Sequence, residues 1–198
     1  QLLDRGSFVF GVEPNDDMRG MAVRELGAYR RFRSVCGTEA DTGLPDQSVE
    51  AVTAAQAFHW FDVERFRGEC RRILRPRGAV FLIWNVRDAL AEVNRAVSDI
   101  YTEYCPRFQG FSGGMQRDDA RIRRFFDSSY TRVAFDHPIS FDRDSFIQRS
   151  LSSSYSLRSG DPRYQPYVEA LSELFDAYAA GGIVTVPNKT VAYMGTVR

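Results

Sequence analysis

The sequence predicts an α/β protein with a doubly wound, mainly parallel sheet, on two observations. First, short apolar runs of the kind that form strands covered on both faces alternate with stretches of helical periodicity through the first half of the chain. Second, helical crossovers between such strands are the connections that parallel strands use. The chain has 198 residues, which is enough for one domain with a substantial core.

The elements of the first half are predicted in the order strand, helix, strand, strand, helix, strand. Asn15 and Asp62 are good N-caps, and apolar residues at helical spacing follow each of them. The first apolar stripe is Met18, Met21, Ala22 and Leu26, and the second is Val63, Phe66, Cys70, Ile73 and Leu74. The predicted strands are Ser7–Val12, Arg33–Cys36, Val49–Ala55 and Ala79–Trp84, the last preceded by a turn at Arg75–Gly78.

The second half is predicted to be more helical. Leu90–Tyr104 and Pro162–Ala180 are predicted helices, and Asp118–Phe126 is predicted as a basic amphipathic helix. We expect residues 90–156 to form a helical lid over a substrate, with Gly113 and Gly114 allowing it to move. Arg117, Arg121, Arg123 and Arg124 could attract an acidic substrate, although a solvated face is the plainer interpretation.

Two apolar runs near the carboxyl end are predicted strands. A turn-like Pro187–Lys189 separates Ile183–Val186 from Val191–Val197, so we expect the two runs to pair as a hairpin. This pairing would make Val191–Val197 an antiparallel closing strand. Thr131–Phe135 is a further predicted strand.

Composition and charge narrow the classes of function. Hydrophobic residues make up 43% of the chain, and 26 basic side chains balance 26 acidic ones. No global positive field exists to recruit nucleic acid or an anionic membrane, so we expect neither as a partner. Three isolated cysteines, Cys36, Cys70 and Cys105, argue against a disulfide framework or a zinc site. We therefore expect free thiols, no metal and a cytoplasmic protein.

Three groups of residues point to a ligand site. Glu13 follows the first predicted strand, and an acid at that place accepts hydrogen bonds from ribose hydroxyls in doubly wound folds. The polar loop Gly37–Asp41 follows the second strand and could hold an adenine edge. Each feature has a plainer interpretation, a helix cap or solvated charge for Glu13 and a surface turn for the loop.

The third group, Ala54–Asp62, is the most specific. The predicted strand ends in small residues and then presents an amide, a histidine and three large aromatic side chains before the next helix. Small residues allow a ligand to approach the backbone, and aromatic side chains can wall a pocket. The plainer interpretation of His59 is a partly buried imidazole beside a core Trp60.

These segments, taken in order and ending with Leu74–Gly78, resemble the class I, Rossmann-like methyltransferases that use S-adenosylmethionine. The resemblance is greatest to the small-molecule group that includes trans-aconitate methyltransferases, and it covers Phe8–Arg87. The glycine-rich loop of that family has no counterpart downstream of Gln1, and Gln1–Gly6 resembles the last turn of a helix that closes on a glycine. We therefore expect the chain to be truncated at its amino end.

The resemblance implies roles for particular residues. Glu13 would bind the ribose hydroxyls, Pro14 and Met18 would flank the adenine, and Thr38 and Glu39 would lie at the adenine edge. The methionine part would be lined by Gln56, Ala57 and Phe58, and His59 and Trp60 would face the transfer centre. Asn85 and Arg87, at the end of the Ala79–Trp84 strand, could contact the substrate. The chain would then consist of a cofactor-binding part (1–88), a helical lid (89–160) and a closing helix with strands (161–198).

The predicted reaction is methyl transfer to a small molecule, with a hydroxyl or carboxylate acceptor favoured. His59 is the candidate base because the ordinary pKa of histidine, about 6.5, suits proton removal near neutrality. A carboxylate acceptor would need no base. Two alternatives stay open, a nicotinamide-dependent oxidoreductase, which also uses an acid at a strand end, and a non-catalytic binding domain of the same fold.

Overall fold

The computed structural model describes residues 1–111 and 120–197. The chain divides into two compact units. Among the described residues, the first unit comprises 1–82, 120–131 and 193–197, and the second comprises 83–111 and 132–192. The predicted Gly113, Gly114 and Arg117 lie outside the described residues.

The described residues form eight strands and six α-helices. The strands are β1 (Val9–Val12), β2 (Phe32–Val35), β3 (Val49–Ala55), β4 (Leu74–Arg87), β5 (Tyr130–Asp136), β6 (Ile139–Phe141), β7 (Val184–Val186) and β8 (Asn188–Gly195). The helices are α1 (Asp16–Leu26), α2 (Val63–Ile73), α3 (Glu92–Tyr104), α4 (Ala120–Phe125), α5 (Arg143–Leu151) and α6 (Tyr164–Tyr178), with a short 3-10 helix at Phe58–Trp60. None of these helices has the length and apolar character that crossing a bilayer requires.

The sheets contain both strand directions. β1 and β2 are parallel and are joined by α1, with Val9 opposite Phe32 and Val12 opposite Val35. β6 and β7 pair antiparallel, and a four-stranded sheet has the order β3-β4-β8-β5. The predicted α/β fold is therefore confirmed, whereas the helical lid stays a prediction.

The predicted hairpin near the carboxyl end is wrong. β7 pairs with β6, and β8 lies between β4 and β5 in the four-stranded sheet. Only Pro187 separates β7 from β8, and a hairpin needs at least two loop residues for the chain to reverse. The Pro187 carbonyl instead accepts hydrogen bonds from the Asp88 backbone N–H (3.1 Å) and from Asn94 Nδ2 (2.7 Å).

Two further predictions in the first unit need correction. The turn expected at Arg75–Gly78 is the first part of β4, where a positive φ at Arg77 (70°) interrupts an otherwise extended backbone. The apolar stripe expected on α1 does not face a core, because no residue of this helix is buried and Met18 and Met21 are mostly exposed. The N-cap, in contrast, is confirmed: Asn15 accepts from the Met18 backbone N–H at 3.0 Å. The helix ends at Gly27.

Residues 1–6 form the glycine-capped turn that the sequence predicts. The backbone N–H of Ser7 donates to the Leu2 carbonyl (3.0 Å), and that of Gly6 donates to the Leu3 carbonyl (2.9 Å). Gly6 has a φ of 82°, in the left-handed region that this pair of hydrogen bonds requires. The segment is a turn with the hydrogen bonds of a glycine-capped helix end.

The core of the first unit is an aromatic cluster between α2 and α4. Phe66 and Phe125 stack at 5.1 Å with an interplanar angle of 16°, and the buried ring of Phe58 lies 5.3 Å from that of Phe125. Arg124 Nε contacts Glu64 Oε1 at 2.7 Å on the outside of this pair of helices. The amphipathic character predicted for the basic helix is confirmed, since Ile122 and Phe125 are buried while its arginines are exposed. This helix, however, groups with α2 and not with the residues expected to form the lid.

The second unit has its own core. Most of its buried side chains come from α3, α5, α6 and β7, and they include Val97, Tyr101, Phe146, Tyr167 and Leu171. Arg143 pairs with Asp176 and lies over the Phe175 ring at 4.9 Å, which fastens α5 to α6. The sequence did not predict β6 or α5, although Asp142 is a clear N-cap that accepts from the Ser145 backbone N–H at 2.8 Å.

Candidate functional site

The site begins at the edge where the parallel strands β1 and β2 both end. Because Val12 lies opposite Val35, Glu13 and the loop after β2 project from the same edge. Glu13 is half-buried, and its Oε1 accepts a hydrogen bond from the Asn15 backbone N–H at 2.8 Å. This bond orients the carboxylate and leaves its other oxygen to accept from a ligand. Pro14 and Met18 are exposed beside it.

The loop after β2, residues 37–44 (hereafter the β2 loop), is held together by its own hydrogen bonds. Thr38 N–H donates to the Asp41 carbonyl at 2.8 Å, while Thr38 Oγ1 accepts from the backbone N–H groups of Ala40 and Asp41. The predicted hydroxyl at the adenine edge is therefore already engaged within the loop. Glu39 instead reaches the next segment, with its Oε1 3.5 Å from the Asp62 backbone nitrogen.

Sequence reasoning missed the residues that anchor this loop. Glu69, on α2, is buried and binds the loop at Thr42, and its neighbour one turn on, Arg72, binds the carbonyl of Leu44. The available signal was the position of Glu69, three residues after Phe66 and four before Ile73, on the stripe predicted to face the core. An acid on such a stripe requires a partner.

The segment after β3 brings several predicted residues together. Gln56 is exposed and has a φ of 53°, a left-handed conformation that few residues other than glycine adopt. The 3-10 helix that follows turns Phe58 fully into the core and leaves Trp60 81% exposed. The interpretation that placed Trp60 in the core is therefore wrong. Any contact of Phe58 with a ligand would fall to its backbone.

His59 lies between these two aromatic residues and is half-buried. Its Nδ1 is buried and has no hydrogen-bond partner in the described part of the chain, and its ring lies 4.7 Å from that of Trp60. Arg121 Nη1 donates to the His59 carbonyl at 3.3 Å. Burial, and secondly the charge of Arg121, lower the pKa of His59 below its ordinary value. The imidazole is thus neutral near pH 7 and able to accept a proton.

Asn85 and Arg87 belong to the second unit. Asn85 Oδ1 accepts from Thr190 Oγ1 at 2.7 Å, and the Arg87 guanidinium lies 4.3 Å from the centre of the Phe111 ring. Stacking on an aromatic face holds a guanidinium in a fixed orientation and leaves its N–H groups in plane for an anion. Their predicted contact with substrate stays a prediction.

Two surface cavities contain none of the predicted site residues. One, of about 390 Å³, lies in the second unit around Arg107, Leu157 and Arg163, and the other, of about 400 Å³, lies in the first unit around Gln47 and Arg75. In the residues that the structure describes, no group of three or more histidine, cysteine, aspartate or glutamate side chains could hold a metal ion. The candidate site is therefore the open edge at Glu13, the β2 loop and the Gln56–Asp62 segment.

Comparison with known proteins supports a methyltransferase. Residues 1–82 match a family model described as a methyltransferase domain. An uncharacterized methyltransferase of Mycobacterium bovis is 39% identical over 88 residues, which are 44% of this chain and 35% of the relative. One from Schizosaccharomyces pombe is 49% identical over 45 residues, 23% of this chain and 18% of the relative. The matched part thus spans about a third of the length of the first of these relatives.

Solved structures support the fold over nearly the whole chain. A protein of Anaeromyxobacter dehalogenans, provisionally assigned as a type II methyltransferase, superposes with a TM-score of 0.62 at 19% identity, covering 96% of this chain and 80% of its own. The YcgJ protein of Bacillus subtilis gives a TM-score of 0.52 at 18% identity, covering 94% and 81%. At these identities the likeness concerns the fold alone.

Proposed function

We propose that the chain belongs to a class I, Rossmann-like methyltransferase that transfers a methyl group from S-adenosylmethionine to a small molecule. One observation carries the proposal. An oriented carboxylate, Glu13, and the β2 loop lie at one edge of a parallel strand pair, and Glu39 of that loop reaches the segment that bears His59. The match of residues 1–82 to a methyltransferase domain supports the same conclusion independently.

The described residues suit a nucleoside ligand. A ribose diol needs an acceptor, and Glu13 offers the carboxylate oxygen that does not accept from the Asn15 backbone N–H. The exposed side chains of Pro14 and Met18 would flank the adenine, and Thr38 and Glu39 would lie at its edge. Gln56, Ala57 and the backbone of Phe58 would line the methionine part. The left-handed backbone at Gln56 supports this assignment, because strained residues often occur at ligand sites.

Catalysis would need little beyond alignment and removal of one proton. S-adenosylmethionine supplies a methyl group that its sulfonium already activates. Trp60 would orient the acceptor so that its nucleophilic oxygen lies in line with the methyl group. Contact of Asn85 and Arg87 with the substrate stays a prediction. His59, neutral near pH 7, would take the proton from a hydroxyl acceptor. A carboxylate acceptor would leave His59 with a positioning role.

The balance of charge favours a small-molecule acceptor over nucleic acid. Basic and acidic residues are equal in number, and the cluster on α4 is partly neutralised because Arg124 pairs with Glu64. No membrane partner is proposed, and a cytoplasmic location would agree with three free thiols.

The proposal is tested by the effect of Glu13→Ala on ligand binding in the full-length protein. Loss of a charge-assisted acceptor should raise the Kd for S-adenosylhomocysteine about 10- to 100-fold in titration calorimetry. Glu25→Ala, which removes an exposed acid of α1, is the matched control and should leave this Kd unchanged. An unaltered Kd in the Glu13 variant, or tighter binding of a nicotinamide dinucleotide by the wild type, would contradict the proposal.

A further inference from the structure

Glu69 joins α2 to the β2 loop through a buried carboxylate. The side chain is only 7% exposed, and its Oε1 accepts from both the backbone N–H (2.8 Å) and the hydroxyl (2.5 Å) of Thr42. Arg72 donates two further hydrogen bonds to this carboxylate, from Nη2 to Oε1 at 2.7 Å and from Nε to Oε2 at 2.8 Å. Both oxygens of the buried carboxylate are thus paired, which offsets the cost of removing it from water.

Arg72 extends the same network to the far end of the loop. Its Nη1 donates to the Leu44 carbonyl and to Asp46 Oδ1, each at 2.7 Å. Hydrogen bonds from Arg72, against the opposing effect of burial, lower the pKa of Glu69 to about 2, and those from Thr42 contribute less. The loop is therefore fastened at two points to a helix that the aromatic core immobilises.

The fastened end of the loop determines the position of its tip. A Cβ on Gly37 would lie 2.9 Å from the carbonyl oxygens of both Asp41 and Thr42, so the two arms of the loop are in close backbone contact. The Thr38–Asp41 hydrogen bond closes the tip, and Thr42 Oγ1 accepts from the Leu44 N–H at 3.2 Å. Displacement of Thr42 would consequently displace Thr38 and Glu39.

We propose that Glu69 is a positioning residue for adenine recognition, which acts through Thr42 and Arg72 to hold Thr38 and Glu39 at the adenine edge. This inference rests on the proposed function. An apolar side chain would suffice to pack α2 against the loop, whereas a carboxylate with four hydrogen bonds fixes the loop's position and orientation. The effect of Glu69 should therefore be selective for the base.

The test compares S-adenosylhomocysteine with S-inosylhomocysteine, in which hypoxanthine replaces adenine, by titration calorimetry on the full-length protein. The wild type should prefer the adenine compound. In Glu69→Gln the Kd for S-adenosylhomocysteine should rise about tenfold while that for the inosine compound changes little, so that the preference is lost. Glu64→Gln, an exposed acid on the same helix, is the matched control and should keep the preference.

A second pair of variants separates positioning from folding. Thr42→Val removes the hydroxyl that donates to Glu69 and should also reduce the preference, whereas Thr42→Ser retains the hydroxyl and should restore it. The positioning role would be overturned if Glu69→Gln and Thr42→Val weakened the binding of both compounds equally, or if the preference for the adenine compound did not change. Either result would leave the proposed function intact. Failure of the wild type to bind S-adenosylhomocysteine would overturn both.

Discussion

Helices α1 and α2 have the same length, 11 residues, and similar start signals, yet they differ completely in burial. Asn15 and Asp62 each accept a backbone N–H in the following turn, so both helices are capped as the sequence predicts. No residue of α1 is buried, whereas α2 buries Phe66, Glu69, Cys70 and Ile73. Capping residues therefore determine where a helix begins, and the elements around it determine what it packs against.

The difference matters for function because the two helices serve different parts of the site. α1 contributes the exposed surface beside Glu13, including Met18, which is 61% exposed. α2 contributes none of the predicted ligand contacts, and its buried Glu69 instead holds the β2 loop. One helix offers surface to a ligand, and the other fixes the loop that would recognise it.

Shortening one apolar side chain on each helix should give the largest difference in stability between a variant of α1 and a variant of α2. Phe66→Ala should lower the free energy of unfolding by about 3–5 kcal/mol, because Phe66 is 4% exposed and contacts the rings of Phe58 and Phe125. Met21→Ala, at a position 56% exposed, should change it by about 0.5 kcal/mol or less. Urea denaturation measures both. Similar losses for the two variants would mean that α1 packs against a core of its own.

Acid should lower the free energy of unfolding by protonating Glu69 on α2. Because folding lowers the pKa of Glu69 from 4.5 to about 2, its stabilisation is complete well above pH 4.5 and is lost as the pH falls towards 2. Integration over this shift gives a loss on the order of 2 kcal/mol between about pH 6 and about pH 3.

The measurement is the difference between wild type and Glu69→Gln in urea denaturation at those two pH values. The free energy of unfolding of the wild type should exceed that of the variant at about pH 6. At about pH 3 this difference should be smaller by on the order of 2 kcal/mol. Glu25→Gln, an exposed acid of α1, serves as the control. A gap that does not depend on pH would show that the charge of Glu69 contributes nothing to stability.

Local signals in the sequence predicted most elements and the position of Glu13. The apolar run before Glu13 forms β1, and the caps at Asn15 and Asp62 begin α1 and α2. The partners of β7 and β8 could not be predicted in this way. β7 pairs with β6 and β8 pairs with β4 and β5, all of which are distant in sequence. Proximity along the chain favoured a hairpin that a single intervening residue cannot close.

The candidate site was predicted less completely than the fold. A run of aromatic residues does not reveal which ring points inwards, and the 3-10 helix buries Phe58 while exposing Trp60. Glu69 was missed because its partner in the loop, Thr42, lies 27 residues away in the chain. The position of Glu69 on the core-facing stripe indicates that it needs a partner, but tertiary contacts determine which residue that is.

The most direct test of the proposed methyl transfer is to follow a labelled methyl group. The full-length protein would be incubated with S-adenosylmethionine carrying a trideuteromethyl group and a mixture of small carboxylic acids and alcohols, and the products analysed by mass spectrometry. We predict labelled small molecules in equal amount to the S-adenosylhomocysteine formed, with both reduced in Glu13→Ala. No S-adenosylhomocysteine above the protein-free control with any acceptor class, or label found only in added RNA or DNA, would contradict the proposal.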